Sequence, residues 1–265
     1  MSGKLGAVLA LAWLGAILVL ALLAPWLSPN DPLQPVAPPL AGPSQSMPLG
    51  SDALGRDLWS RLAYGARLTL AAASLSTTLT VVIGSVLGLA AAASGGWTDR
   101  AIVAGANAAL AIPGLVLAML IIAAIGPSLT AVVLAVGLGA APGFARLART
   151  TFLQVRERAY VTASGALGAS RLWTARFHLL PNAWPSLASL TTTHFAWALL
   201  GITTLTFLGL AGDPSLPEWG AMLNSGRAHL LDVPRLALLP GVAIALTIMA
   251  VHRLGERGAT GRSPG

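Results

Sequence analysis

Long apolar runs without charge alternate with short polar segments along this chain. The first run, Leu5–Leu27, contains no charged residue, and about 20 apolar residues are enough to cross the hydrocarbon core of a bilayer as a helix. A cleaved signal peptide is the alternative, but the run is long and has no Ala-x-Ala pattern at its far end. We therefore predict an uncleaved transmembrane helix at 1–27.

Five further spans are expected. The 44 residues of 101–144 carry no charge, and a single helix of that length would measure about 66 Å, twice the thickness of the hydrocarbon core. The stretch must therefore fold back, and Gly126-Pro127-Ser128 is the natural break. The other spans are predicted at 68–93, 184–211 and 236–251.

Glycine and proline mark two features inside these spans. Gly84 and Gly88 have the GxxxG spacing, which is typical of close helix packing, and we prefer this interpretation to a ligand role. Pro113-Gly114 predicts a kink in the third span, where neighbouring helices can satisfy the backbone groups that proline leaves free.

The overall composition argues against a soluble fold. Hydrophobic residues make up 55% of the 265 residues and charged residues only 9%, whereas ordinary soluble domains contain about 25% charged residues. The predicted fold class is all-α, a polytopic membrane protein with about six transmembrane helices.

Lys and Arg are unevenly divided between the loops on the two sides of the predicted bundle. The side that holds the N-terminus carries 11 of the 16 Lys and Arg residues, so the positive-inside rule makes it cytoplasmic, together with both termini. The net charge of +7 is also compatible with nucleic-acid binding. That function needs basic clusters on a polar fold, whereas here Lys4 is the single lysine and the arginines lie between apolar runs, so no nucleic-acid partner is expected.

The spans divide the chain into four parts. The connector after the first helix is expected to be extended over Pro29–Met47, with Ser51 or Asp52 capping a short amphipathic helix. The parts are an N-terminal helix at 1–27, a periplasmic connector with an interfacial helix at 28–67, a five-helix core at 68–254 with a polar cytoplasmic loop at 146–183, and a cytoplasmic tail at 255–265.

Several kinds of chemistry have no residues to support them. The chain contains no cysteine, so it has no thiolate metal site or nucleophile. No lysine follows Lys4, and a P-loop nucleotide site needs one. His178, His229 and His252 have no metal-binding spacing. We expect no catalytic residue, no metal and no cofactor on this chain.

The polar loop is the segment most suited to a partner. Small residues dominate the first half of 156–182, and a helix with an Ala, Ser and Gly face lets another backbone approach closely. Gly168 then permits a sharp turn into a second short helix. Two interpretations stay open on physical grounds: a knob that docks into a partner's groove, or a basic amphipathic helix that lies on the anionic inner leaflet.

This loop resembles the coupling loop of ABC importer permeases, which reads Glu-Ala-Ala, three residues, Gly, and a later Leu-Pro. Thr162-Ala163-Ser164 stands at the Glu-Ala-Ala place, and Thr162 and Ser164 depart from that pattern. In that family a short coupling helix inserts into the ATPase subunit. The resemblance implies ATPase-coupling roles for Thr162, Ala163, Ser164, Gly165, Leu167, Gly168, Phe177, Leu180, Pro181 and Asn182.

Two further stretches narrow the resemblance. Pro48–Arg67 and Arg176–Asn182 are similar to segments of the dipeptide, oligopeptide and nickel branch of these permeases. The resemblance implies a type I ABC importer permease fold in the bacterial inner membrane, forming half of a path for di- or oligopeptides or for nickel and other metal chelates. It also implies a second, non-identical permease, two ABC ATPases that hydrolyse Mg-ATP, and an extracytoplasmic solute-binding protein.

Two rival functions are weaker. A self-sufficient secondary transporter or channel usually carries charged relay residues within its spans, and only His194 is ionisable there. His194 is accordingly the one residue predicted to line the translocation path. An intramembrane enzyme would have almost no other candidate residue.

Overall fold

The computed structural model describes residues 2–260, and the side chains of 5–255. Within that range the chain forms ten α-helices, with a π-helical turn at Ala175–Leu179 and a 3-10 turn at Arg227–His229. The α-helices are α1 (Ser2–Leu27), α2 (Leu58–Ser94), α3 (Gly96–Leu110), α4 (Gly114–Ile125), α5 (Leu129–Arg156), α6 (Ala159–Ala166), α7 (Arg171–Thr174), α8 (Leu180–Phe207), α9 (Trp219–Gly226) and α10 (Arg235–Thr260). Of the predicted tail, residues 261–265 lie outside the described range.

Several of these helices have the length and apolarity of membrane spans. Four of them qualify individually, namely α1, α2, α5 and α10, and the bent pair of α3 and α4 makes a fifth span if it is counted as one. Helix α8 has 28 residues, about 42 Å of helix, includes six threonines, and packs against α2, α5 and α10. With α8, the arrangement agrees with the predicted all-α fold of about six spans.

The breaks within the long apolar stretch lie where proline and glycine predicted them. The axes of α3 and α4 differ by 90°, with Pro113 immediately before α4, so the predicted kink is a complete break. Gly126 has a φ of +98°, and the Ser128 hydroxyl accepts a hydrogen bond from the Ala131 amide at 3.1 Å. That N-cap starts α5, and the fold-back at 126–128 is confirmed.

Glycines bring α2 and α5 into direct backbone contact. A Cβ added at Gly84 would lie 2.8 Å from Cδ1 of Phe144, and one added at Gly88 would lie 2.8 Å from the carbonyl oxygen of Ala145. Both distances are shorter than real Cβ contacts. The prediction that this GxxxG pair serves close helix packing is confirmed.

The segment before α2 differs from the predicted extended connector. It folds over the helix ends, with isolated bridges that join Pro35 to Arg56 and Ser51 to Asp57. Asp57, and not Ser51 or Asp52, is the N-cap, accepting a hydrogen bond from the Trp59 amide at 3.2 Å. The expected interfacial helix is therefore the first turns of α2.

Arginine side chains hold this folded connector in place. The Arg61 side chain, 2% exposed, donates to the carbonyl of Pro32 at 2.9 Å and to that of Ser215 at 3.1 Å. Arg235, at the start of α10, donates to the carbonyls of Leu49 at 3.0 Å and Ala41 at 2.8 Å. These bonds satisfy carbonyls that helices and strands do not use, and they tie residues 28–57 to the α8–α10 loop. We call this side of the bundle the connector end.

The opposite side of the bundle gathers the other loops. Arg149 and Asp99 form a two-bond ion pair, with Nη2 2.6 Å from Oδ2, which joins α5 to α3. Arg156 and Arg171 donate to carbonyls of Ala92 and Ser94 at the end of α2, at 2.6 Å and 3.2 Å. Loops that the alternating spans assign to the same side thus meet in space, and we call this side the loop end.

The glycine contact predicts a sharp difference between two otherwise similar substitutions. Gly88→Ala should destabilise the protein by about 1–3 kcal/mol, since the new methyl overpacks the α2–α5 interface. Gly105→Ala, on α3 with no neighbouring atom within 4 Å of the new Cβ, should be neutral or stabilising by up to about 1 kcal/mol. Thermal unfolding in mild detergent measures both, and equal midpoints for the two variants would contradict this account of the interface.

Candidate functional site

The polar loop at the loop end begins with a short helix that is closed by a glycine motif. After α6, the Ala169 amide donates to the carbonyl of Ser164 at 3.1 Å, and the Gly168 amide donates to that of Gly165 at 3.0 Å. This pair of bonds is the Schellman arrangement, which needs a left-handed residue just past the helix. Gly168 supplies it with a φ of +92°. The predicted sharp turn at Gly168 is present, and a short second helix follows it.

One apolar side chain fixes α6 to the bundle while the rest of the helix stays open. Val161 is buried in a cluster that includes Phe152, on α5, and Leu179. The other side chains of α6 are small or exposed, and Leu167, directly after it, is 89% exposed. The Ser164 hydroxyl is turned back and donates to the carbonyl of Val161 at 3.0 Å. The helix therefore presents a narrow surface without charge.

The second half of the loop adds larger exposed apolar groups. Ser170 caps α7 by accepting from the Trp173 amide at 3.2 Å, and Leu172 on the first turn is 80% exposed. Phe177 is 53% exposed and lies 5.3 Å from the Trp173 ring, centroid to centroid. We call residues 157–179 the α6–α7 loop. Its surface exposes Leu167, Leu172 and Phe177 beside the exposed arginines Arg158, Arg171 and Arg176.

Contacts inside the α6–α7 loop also hold its two halves together. The His178 ring lies edge-on to Trp173 at 4.9 Å and to Tyr160 at 5.5 Å, so an aromatic cluster joins α6 to the π-helical turn. Asn182 donates to the carbonyl of His178 at 2.7 Å. With Arg156 and Arg171 bound to the end of α2, the loop has a defined position relative to the spans.

The structure divides the ten residues of the predicted coupling set into three groups. Those around α6 form one surface, Phe177 lies in the π-helical turn, and Leu180, Pro181 and Asn182 form the first turn of α8. Sequence reasoning missed Leu172 and Trp173, which contribute exposed apolar area. The sequence signal for them was two adjacent large apolar residues, directly after Arg171, in an otherwise polar loop.

The predicted path residue lies elsewhere. His194 is half-buried on α8, and its ring packs edge-on against Phe144 with 5.0 Å between centroids. It therefore contacts α5, and its role in the path stays a prediction.

Comparison with known proteins gives a consistent family. A family model described as binding-protein-dependent transport system inner membrane component matches residues 84–254. The glutathione transport system permease protein GsiD of Pectobacterium atrosepticum is 38% identical over 216 residues, which cover 81% of this chain and 71% of that protein. The di/tripeptide transport system permease protein DppC of Pseudomonas aeruginosa is 37% identical over 258 residues, which cover 95% of this chain and 85% of that protein.

A solved structure has the same fold. A chain of the MetNI methionine ABC transporter, in inward-facing conformations, aligns with a TM-score of 0.60 over 76% of this chain and 97% of that chain, at 22% identity. The family match covers more than half of the chain. Together with the apolar helices, it places the protein in the inner membrane as a multi-pass protein. The protein is a transport component and not an enzyme. The chain belongs to the binding-protein-dependent transport system inner membrane components, the permease subunits of ABC importers.

Proposed function

We propose that this permease imports short peptides, glutathione among them, and that ATPase subunits drive it through the α6–α7 loop. The observation that carries the proposal is an exposed apolar surface, led by Leu167 and Leu172, on a loop held in place by Arg156 and Arg171. Exposed apolar groups at a fixed position in an otherwise basic region are typical of a protein docking site.

The composition of α6 favours docking into a protein over binding to a lipid surface. Interfacial helices carry Lys and Arg on a broad polar face, but α6 reads AYVTASGA and contains no charged residue. Of the flanking arginines, Arg156 and Arg171 each donate to a carbonyl at the end of α2. Small side chains at Ala163 and Gly165 let a partner's backbone approach closely.

The partners follow from the family and from what this chain lacks. Two ABC ATPases would bind and hydrolyse Mg-ATP, since no lysine after Lys4 can complete a P-loop here. A second, non-identical permease would complete the path, and an extracytoplasmic solute-binding protein would deliver the substrate. The α6–α7 loop and both termini would face the cytoplasm, as the distribution of Lys and Arg predicts.

The substrate class rests on the relatives. The two relatives described above are named for glutathione and for di- and tripeptides, and all of these are short, flexible molecules with a free carboxylate. Short peptides are therefore the substrates we propose. Nickel and other metal chelates are the second class that this permease branch implies.

The docking surface predicts a charge-sensitive contact. Leu167→Asp should weaken copurification with the ATPase pair at least tenfold, because burying an unpaired carboxylate in an apolar interface is costly. The matched control is Leu231→Asp, since Leu231 is 96% exposed at the connector end, and it should leave copurification and basal ATP hydrolysis unchanged. Full retention of the ATPases by Leu167→Asp would remove the docking role of this surface.

The left-handed turn predicts a second contrast at a single position. Gly168→Val places a β-branched residue at a φ of +92°, at a cost of about 1–3 kcal/mol, and should lower both ATPase affinity and substrate-stimulated ATP hydrolysis. Gly168→Asn should retain most of both, because asparagine tolerates this conformation. No atom lies within 4 Å of the added Cβ, so a loss in both variants would point to a cause other than backbone strain.

Transport itself is the direct test of the proposed function. Proteoliposomes that hold both permeases and both ATPases, with the binding protein outside, should accumulate glutathione or dialanine only when Mg-ATP is enclosed. Uptake of a nickel chelate without peptide uptake would replace the substrate class. Peptide uptake by this chain alone, driven by an ion gradient, would favour a secondary transporter and overturn the importer proposal.

A further inference from the structure

One side of α8 is partly open and carries several polar side chains. Side chains spaced three, four or seven residues apart fall on the same side of a helix. On α8 this spacing joins Asn182, Ser186, Thr193, Trp197, Leu200 and Thr204, which are exposed or half-buried, while Ser189, which bonds to α10, and Leu190, which packs on the core, lie between them. We call these six residues the polar stripe, since four of them carry an amide or a hydroxyl and Trp197 adds an indole N–H.

The open side of the neighbouring helix is different. The exposed side chains of α10 between 238 and 249 are all apolar: Leu238, Val242, Ala245, Leu246 and Met249. The open face of α4 is also apolar, with Leu115, Val116, Met119 and Leu120 more than 40% exposed. Lipid is a suitable neighbour for those two faces. The polar stripe differs from both in its hydroxyl and amide groups, and water or a peptide can pair with such groups.

The groups of the polar stripe keep capacity for further hydrogen bonds. The Thr204 hydroxyl donates to the carbonyl of Leu200 at 2.7 Å, but its oxygen can still accept a bond from water or from a peptide N–H. Trp197 is 66% exposed and presents a large apolar face beside these groups. A mixture of hydroxyls and an aromatic face suits a flexible peptide with side chains of varied character.

A positively charged side chain lies at the connector end of the same side of α8. The Arg227 guanidinium lies 5.5 Å from the centroid of Phe207, and Phe207 and Thr204 line one groove between α8 and α10. Arg227 itself is exposed, and a guanidinium in that position attracts carboxylates. A peptide that entered from this side would meet a positive charge before it reached Thr204.

We infer that the polar stripe lines the water-filled path and contacts the peptide backbone during transport, with Trp197 and Thr204 as contact residues. The inference deepens the proposed function and rests on it. It moves the path away from His194, which packs against Phe144 on another side of α8. In this inference a hydrated short peptide lies against the stripe. The alternative is that a second permease packs directly on the stripe, and the test must distinguish these two arrangements.

The absence of native cysteine makes the test direct. Single cysteines at Ser186, Thr193 and Thr204 are introduced into the assembled importer and exposed to a charged methanethiosulfonate reagent. The controls are Leu246→Cys and Met249→Cys, both exposed on α10. They follow Ala245 within about one turn, and Ala245 lines the same groove as Leu200 and Thr204, so their depth matches that of the stripe. Thiolate reaction requires water, so the stripe positions should react at least tenfold faster than the controls, and an excess of dialanine, which has no thiol to consume the reagent, should slow the reaction at Thr204→Cys.

Two outcomes would overturn the inference. Stripe cysteines that react no faster than Leu246→Cys would place the stripe against lipid. Stripe cysteines that are unreactive but form crosslinks to cysteines of the other permease would place it in the subunit interface. Cysteine labelling does not depend on transport. ATP-driven peptide uptake by the parent complex is therefore measured separately. Uptake without faster labelling of the stripe would reject the proposed path and leave the proposed function standing.

A second measurement checks the contact role. Thr204→Val keeps the shape of the side chain and removes the hydroxyl, so it should raise the KM for dialanine about threefold to tenfold while ATPase copurification is unchanged. Thr204→Ser restores the hydroxyl and should return the KM to its original value. An unchanged KM in Thr204→Val, or a change that Thr204→Ser does not rescue, would contradict the role of this hydroxyl.

Discussion

The contact between α2 and α5 is the constraint on which the rest of the structure depends. In a bilayer, lipid is as apolar as leucine, so helices associate through close packing and not through removal of apolar surface from water. Gly84 and Gly88 permit that packing by letting Phe144, Ala145 and the α5 backbone approach. Because α5 runs directly into the α6–α7 loop, and Arg156 of α5 bonds to the end of α2, this contact also sets the position of the loop.

The connector end of the bundle contains a buried polar network. At the connector end, polar groups are buried and paired: Glu218 is fully buried, accepts from the Thr69 hydroxyl at 2.9 Å and caps α9. Such a satisfied network specifies one arrangement, because breaking any member leaves a costly unpaired group. At the loop end, Leu167 and Leu172 are exposed in the proposed docking surface. Leu231 is exposed at the connector end as well, so what distinguishes the connector end is its buried polar network.

The sequence predicted the features that follow from local chemistry. Uncharged length predicted the spans, Gly126-Pro127-Ser128 the fold-back, Gly84 and Gly88 the helix contact, and Gly168 the turn. It did not predict the folded connector, because the bonds of Arg61 to Pro32 and Ser215 join residues far apart in sequence. Nor did it predict the polar stripe, since which side of α8 stays open depends on where α2, α5 and α10 pack.

One continuous helix connects the α6–α7 loop to the polar stripe. From Arg171 to Phe207 the chain is helical without interruption, since α7 passes through the π-helical turn at Ala175–Leu179 into α8. In that turn the Leu180 amide donates to the carbonyl of Ala175, five residues back, and such wide turns are frequent at functional sites in helices. In the proposed mechanism, a displacement of α7 would reach the polar stripe along this one helix. The π-helical turn keeps that helix continuous, so α7 and the polar stripe belong to one helical element, whereas α6 and Leu167 lie before the turn at Gly168.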